Sequence, residues 1–151
     1  MRAALAALLL FLFAPVAQAR DVTATVLADT DLGARVAAAC QRWCQGNKRE
    51  GTVRRVDVET GATKGSHAVT VVVRLRNHQQ EPARTILGQQ IGPFDIFDYA
   101  IDIEAGGTLD DATCRLRIQR VRISDDRLGL MPQLKKLLGT EHQVANCGRF
   151  L

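Results

Sequence analysis

Chemistry in this chain would have to come from four cysteines, three histidines and a few paired acids. Cys40 and Cys44 stand one helical turn apart in the segment CQRWC, beside Trp43, the only tryptophan. A zinc site asks for several ligands in paired short spacings, and here one close pair stands alone with no histidine near it. A thioredoxin-type centre asks for two intervening residues in a βαβ setting; CQRWC has three. Copper would draw methionine or histidine around the thiols, and none cluster there. Spacing therefore favours structural anchors over metal or redox chemistry.

The remaining candidates are thinner. His67 and His78 bracket one strand-like segment, and His142 lies near the end of the sequence. Ser66, His67 and Asp57 form a conceivable hydrolytic set, but no nucleophile-elbow motif supports it. Asp110-Asp111 and Asp125-Asp126 fall in turn-like stretches, where aspartate serves the backbone. Phosphate loops, metal-ligand helices and dinucleotide fingerprints are all missing. The sequence assigns no catalytic residue, no metal ligand and no cofactor, and an enzyme is not the expected class.

Where the chain is destined bears on the cysteines. Its opening, MRAALAALLLFLFAPVAQARD, joins Arg2 to an apolar run from Ala3 to Phe13, then Pro15 and the small-residue site Ala17-Gln18-Ala19. This pattern is a secretory signal, with cleavage expected after Ala19, and it is shorter than the ~20 residues of a membrane span. The expected organisation is a signal peptide over 1–19 and a single domain over 20–151, which is 151 − 19 = 132 residues. The expected location is periplasmic or secreted, as for a bacterial-type envelope protein. No second apolar stretch follows, so no stable membrane insertion is expected. Without Arg2, 19 basic residues face 16 acidic ones, a net +3. Few aromatics accompany that charge, which excludes a stacking platform and argues against nucleic acid as a partner. In an oxidising compartment four cysteines predict two disulfides.

The elements that must position these residues follow from periodicity. Residues 30–45 predict a helix, with Asp29 or Thr30 to cap it and Gly46 to end it. Leu32, Val36, Ala39 and Trp43 share one face, Cys40 falls inside that apolar arc and Cys44 at its edge. A bond between two cysteines within one helix would distort it. The predicted pairing is therefore Cys40–Cys114 through the core and Cys44–Cys147 along its flank. A Cys40–Cys44 bond would instead bring redox or metal chemistry forward.

From residue 52 the period becomes two. Thr52–Glu59 is a modest strand. In SHAVTVVVRLRN, Val69, Val71, Val73 and Leu75 form one face and Thr70, Val72, Arg74 and Arg76 the other. Arg84–Leu87 is a possible short strand, and Gly88–Phe94 reads as a Gly/Pro loop. FDYAIDIEA and ATCRLRIQRVRIS predict a long hairpin turning at GGTLDD. Cys114, Leu116 and Ile118 face inward; the alternation then slips at Gln119-Arg120, and one extra residue there would return Val121 and Ile123 to the same face. Outside, Asp98, Asp102 and Glu104 are expected to form a charge ladder with Arg115 and Arg117, which accounts for the arginines without a lipid phosphate. A possible strand covers 21–27, and a short helix begins at Pro132, with Leu134, Leu137 and Leu138 apolar and Gly139 as its stop.

The expected fold is α+β: an N-terminal helix packed on a curved antiparallel sheet of four to five strands, a short C-terminal helix and two disulfides. Function is expected to be non-catalytic, a binding or assembly module whose candidate surface is Ile91, Phe94 and Ile96 and whose partner is another envelope protein. The alternative is a carrier of a small apolar ligand held between helix and sheet, with Trp43, Phe97 and Tyr99 as lining.

Overall fold

A computed structural model describes residues 19–61 and 63–151. The expected signal peptide, apart from Ala19, lies outside the described residues. Among the described residues eight strands form: β1 (Arg20–Asp21), β2 (Lys48–Thr60), β3 (Ser66–Glu81), β4 (Arg84–Ile86), β5 (Gln89–Ile91), β6 (Phe94–Asp110), β7 (Arg115–Ile123) and β8 (Glu141–Gln143). Three α-helices accompany them: α1 (Thr23–Asp29), α2 (Leu32–Trp43) and α3 (Met131–Leu134), the last running into a 3-10 turn at Lys135–Leu137. Six strands make one antiparallel sheet in the order β1-β2-β3-β6-β7-β8, while β4 and β5 pair only with each other.

The sheet curls into a half-barrel. Its backbone shows where the bending enters, because each pairing of the long strands is interrupted once. The register slips between Val53 and Arg55, between Gln79 and Gln80, and between Gly106 and Gly107. An extra residue bends a strand and tightens its twist. On β7 the inserted residue is Gln119: Ile118 pairs with Gly107 and Arg120 with Gly106. Val121 and Ile123 thereby return to the core side, as the slipped alternation predicts.

Gly106-Gly107 does not make the hairpin turn. Both glycines lie inside β6, and a Cβ on Gly107 would sit 2.2 Å from the Arg117 carbonyl oxygen. Glycine is needed there because the bulged backbone of β7 comes too close for any side chain. The chain turns later, between Asp110 and Arg115, where the Asp110 carboxylate accepts the Thr113 N–H at 2.8 Å and its hydroxyl at 2.7 Å. That strong local acceptor fixes the turn.

The N-terminal helical region is two helices rather than one, and residues 21–27 are mostly helix rather than strand. Asp21 accepts the Thr23 N–H at 2.9 Å, which starts α1, and Val22 and Val26 are buried on one side of it. The chain breaks at Thr30-Asp31, and α2 then runs only to Trp43, because Cys44 is extended at φ −80°, ψ 154°. Two buried clusters form, one around Val26, Val56, Val69, Leu109 and Phe150, the other around Cys40, Leu75, Ile101, Ile103 and Leu134. The sheet exceeds the expected four to five strands because β1 and β8, two and three residues long, join its edges.

The apolar cavity and the other candidate sites

The helix α2 leans on β2 at Gly51. A Cβ at that glycine would lie 2.6 Å from the Val36 carbonyl oxygen and 2.7 Å from Cys40 Cβ. Contact is made near the side of the sheet, and the concave face beyond is left uncovered. Between them lies a cavity of about 890 Å³. Its helix wall is Leu32, Val36, Ala39 and Trp43, the same four residues that share one face of the helical wheel. Its sheet wall includes Val69, Val71, Val73 and Leu75 of β3, with Ile103 and Ala105 of β6 and Leu116 and Ile118 of β7. All four helix-wall residues are only half-buried, as are Val71 and Val73. An amphipathic helix normally buries such a stripe fully; here it faces space.

Polar lining residues gather at one end. Asp31 and Arg35 at the start of α2, and His142 and Gln143 on β8, are all exposed and all line the cavity. Register explains the grouping. His142 pairs with Leu116, which pairs with Leu109, which pairs with His67 beside the Val69 end of β3. Arg149 and Asn146 in turn hold Asp29 through its carboxylate, 2.8 Å, and its carbonyl, 3.2 Å, docking the α1–α2 corner beside the segment after β8. At the other end, Trp43 packs with the second buried cluster. Phe97 and Tyr99, expected beside Trp43, are not among the lining residues. Their rings meet at a 43° tilt, 5.7 Å between centroids, and the Arg127 guanidinium sits 4.6 Å above Tyr99. The Val and Ile residues of the sheet were legible as one apolar face; that the face is not covered was not.

The disulfides are Cys40–Cys44 and Cys114–Cys147, with Cα–Cα distances of 5.0 and 5.7 Å. The expected Cys40–Cys114 and Cys44–Cys147 pairing is corrected. Cys44 is not in the helix, so the bond closes across the helix end without bending it. Cys114, at φ +52° in the turn, points to the C-terminal segment. A bonded CxxxC raises the redox reading, but Cys40 is fully buried and Cys44 is 4% exposed. Thiol exchange needs access by the attacking thiolate, and none is offered. Among the described residues, no three His, Cys, Asp or Glu side chains are grouped to hold a metal ion.

The histidines do no better as catalysts. His67 Nε2 is 3.8 Å from Asp111 and its pairing partner is Thr60, three residues from Asp57, so Ser66, His67 and Asp57 form no triad. Asp57 instead takes Arg55. His78 is buried against Asp95 at 2.8 Å, a carboxylate also bonded to Gln80. The His142 ring meets the Thr140 hydroxyl at 2.8 Å.

A charge ladder does cover the convex face, with different partners from those expected. Asp102 takes two bonds from Arg74, both 2.8 Å, and Asp98 takes two from Arg76, 2.9 and 2.7 Å. Glu104 meets Arg120, and Arg115 reaches Glu141. The later turn shifted β7 along β6, so β3 supplies the cations for Asp98 and Asp102. Hydrogen bonds from these guanidinium groups hold both carboxyls below the usual carboxylate range.

Ile91 ends a small hairpin of β4 and β5 where a loop was expected, and Phe94 and Ile96 lie at the start of β6 beside it. Leu87 and Gly88, both at positive φ, turn β4 into β5. Ile91, Phe94 and Ile96 are exposed, together with Ile86 and a wholly exposed Leu87. No family of known proteins matches this chain, and no curated protein or solved structure matches it significantly.

Proposed function

We propose that the protein is a non-catalytic carrier of a small apolar ligand, held between α2 and the concave face of the sheet. The observation that carries this reading is the cavity of about 890 Å³ facing the half-buried stripe of α2. Its size lies within the usual range for small-molecule sites. The space opens to solvent, and its walls are mostly apolar. Water could fill the space only against apolar walls that give it few hydrogen bonds. An apolar ligand satisfies the walls.

The carrier reading includes export through the leader at 1–19 to the periplasm or medium. Two disulfides fit an oxidising compartment, and no helix of the described residues is long and apolar enough to cross a membrane. Native mass spectrometry of the exported protein tests both parts. The expected result is a chain beginning at Arg20 with a small apolar mass attached. A chain without added mass, taken directly from the producing cells, would speak against the carrier.

A second reading has its own observation. Ile86, Leu87, Ile91, Phe94 and Ile96 form an exposed apolar group on and beside the hairpin, in a run from Thr85 to Phe94 without a charge. Such a group suits a binding or assembly module that docks on another envelope protein. Co-purification of a polypeptide that is lost on Leu87→Asp would favour it.

A further inference from the structure

Resting on the carrier reading, we infer that the ligand is a lipid acyl chain, inserted methyl end first, with its polar head at the mouth marked by Asp31, Arg35, His142 and Gln143. Three observations converge. The first is the scarcity of polarity along the walls: beyond the α1–α2 corner and β8, where Asp29, Thr30, Asp31, Arg35, His142 and Gln143 gather, they are Val, Leu, Ile and Ala side chains with Trp43 and Phe150. A ligand with ring hydroxyls, amides or ketones along its length would leave them unpaired, each at the cost of losing its water. Only a hydrocarbon asks for nothing.

The second observation is length. The sheet wall runs along β3 from Val69 to Leu75, six steps of the chain, or about 20 Å at the rise of a strand. The hydrocarbon core of a bilayer is about 30 Å thick, so one lipid chain spans about 15 Å of it. The cavity therefore accommodates the apolar reach of a membrane lipid in extended form. The third is polarity of direction. Every charged or amide side chain of the lining lies toward the α1–α2 corner and β8, whereas Trp43 lies eight residues along the helix from Arg35, about 12 Å farther along the cavity. The charges at the mouth are of both signs, Asp31 being paired with Arg35 at 2.8 Å, so the head is held in contact with solvent and not swallowed.

The single tryptophan makes this measurable. Exported protein, stripped of lipid, is titrated with stearic acid carrying a nitroxide quencher either near its methyl end or near its carboxylate, while Trp43 fluorescence is recorded. The methyl-end label should quench about twofold more strongly than the carboxylate-end label, given the ~12 Å between Trp43 and the polar end. Val71→Phe, which thrusts a ring into the middle of the cavity, should weaken unlabelled stearic acid about tenfold while circular dichroism stays unchanged. The neutral aromatic probe 1-aminoanthracene is run in parallel. Stronger quenching from the carboxylate end overturns the insertion direction and with it the inference. Binding of 1-aminoanthracene without any binding of stearic acid overturns the acyl-chain assignment and leaves the carrier standing. Binding of neither overturns the carrier reading itself.

Discussion

Leu87 sits where a leucine contributes nothing to the fold: it is wholly exposed, at φ +50°, in a two-residue turn that asparagine-glycine would fill without strain. A left-handed residue with a large side chain costs about 1–2 kcal/mol. Leu87→Asn should therefore steady the hairpin. The gain should read as amide exchange at Gln89, paired with Ile86, slowed about fivefold, equivalent to about 1 kcal/mol. Unchanged exchange would mean that Leu87 is already supported by contacts in solution. On the convex face of the sheet the paired carboxylates set an acid limit. Asp98 and Asp102 are held below their ordinary pKa by Arg76 and Arg74. A lowered pKa contributes stability that is present above the unfolded value of about 3.9 and is lost as pH falls through the folded one. Asp102→Asn should thus lower stability at neutral pH, by tenths of a kcal/mol to about 1 for so exposed a pair, and flatten the acid limb of a denaturation profile, the two proteins converging below about pH 4. Equal loss at all pH values would assign Asp102 a packing role instead. These residues were half legible: alternation put Arg74, Arg76, Asp98 and Asp102 on the outer face, but partners depend on register, and register on where the turn falls.

Helix α2 owes its position to one missing atom. With a Cβ at Gly51, Val36 and Cys40 would have to retreat by several tenths of an ångström against backbone. Gly51→Ala should cost about 1–3 kcal/mol as overpacking and change Trp43 fluorescence as the helix shifts over the cavity. Stability loss with an unmoved Trp43 spectrum would show that β2, not α2, gives way. The disulfides act on different elements. Cys114–Cys147 closes a separation of 33 residues and ties the C-terminal segment with β8 to the end of the hairpin, whereas Cys40–Cys44 spans four. Chain entropy gives about 3–4 kcal/mol for the first and about 2 for the second, as upper figures. Urea denaturation of the paired alanine variants should show that order, and the reverse order would assign the CxxxC bond a role in holding α2. At this scale the sequence spoke unevenly. A sixteen-residue β3 carries many repeats of its period, and the slip at Gln119 was readable as a bulge. β1 and β8 are too short to have a period at all. The glycine pair at Gly106-Gly107 looked like a turn because glycine permits a turn and a close strand approach equally well.

Taken whole, the molecule is a half-barrel whose open side is faced, not sealed, by a helix. Three bulges curl the sheet, Gly51 parks α2 to one side, and the two buried clusters hold the ends of the concave face together. None of these alone makes a cavity, and no periodicity records their sum, which is why periodicity marked the apolar faces and Trp43 but also set Phe97 and Tyr99 in a lining where they do not stand. The arrangement links stability to occupancy. A ligand that binds only the folded state adds RT ln(1 + [L]/Kd), about 2.7 kcal/mol at a hundredfold excess over Kd. Extracting the exported protein with organic solvent and refolding it with its disulfides intact should lower its urea midpoint, and adding stearic acid should restore it. The restoration should grow with the logarithm of ligand concentration above Kd and be blunted in Val71→Phe, whose ring already occupies part of the space. If stripped and untreated protein unfold at the same urea concentration and stearic acid moves neither, the cavity is not a ligand site, and the exposed hairpin becomes the feature through which the protein acts.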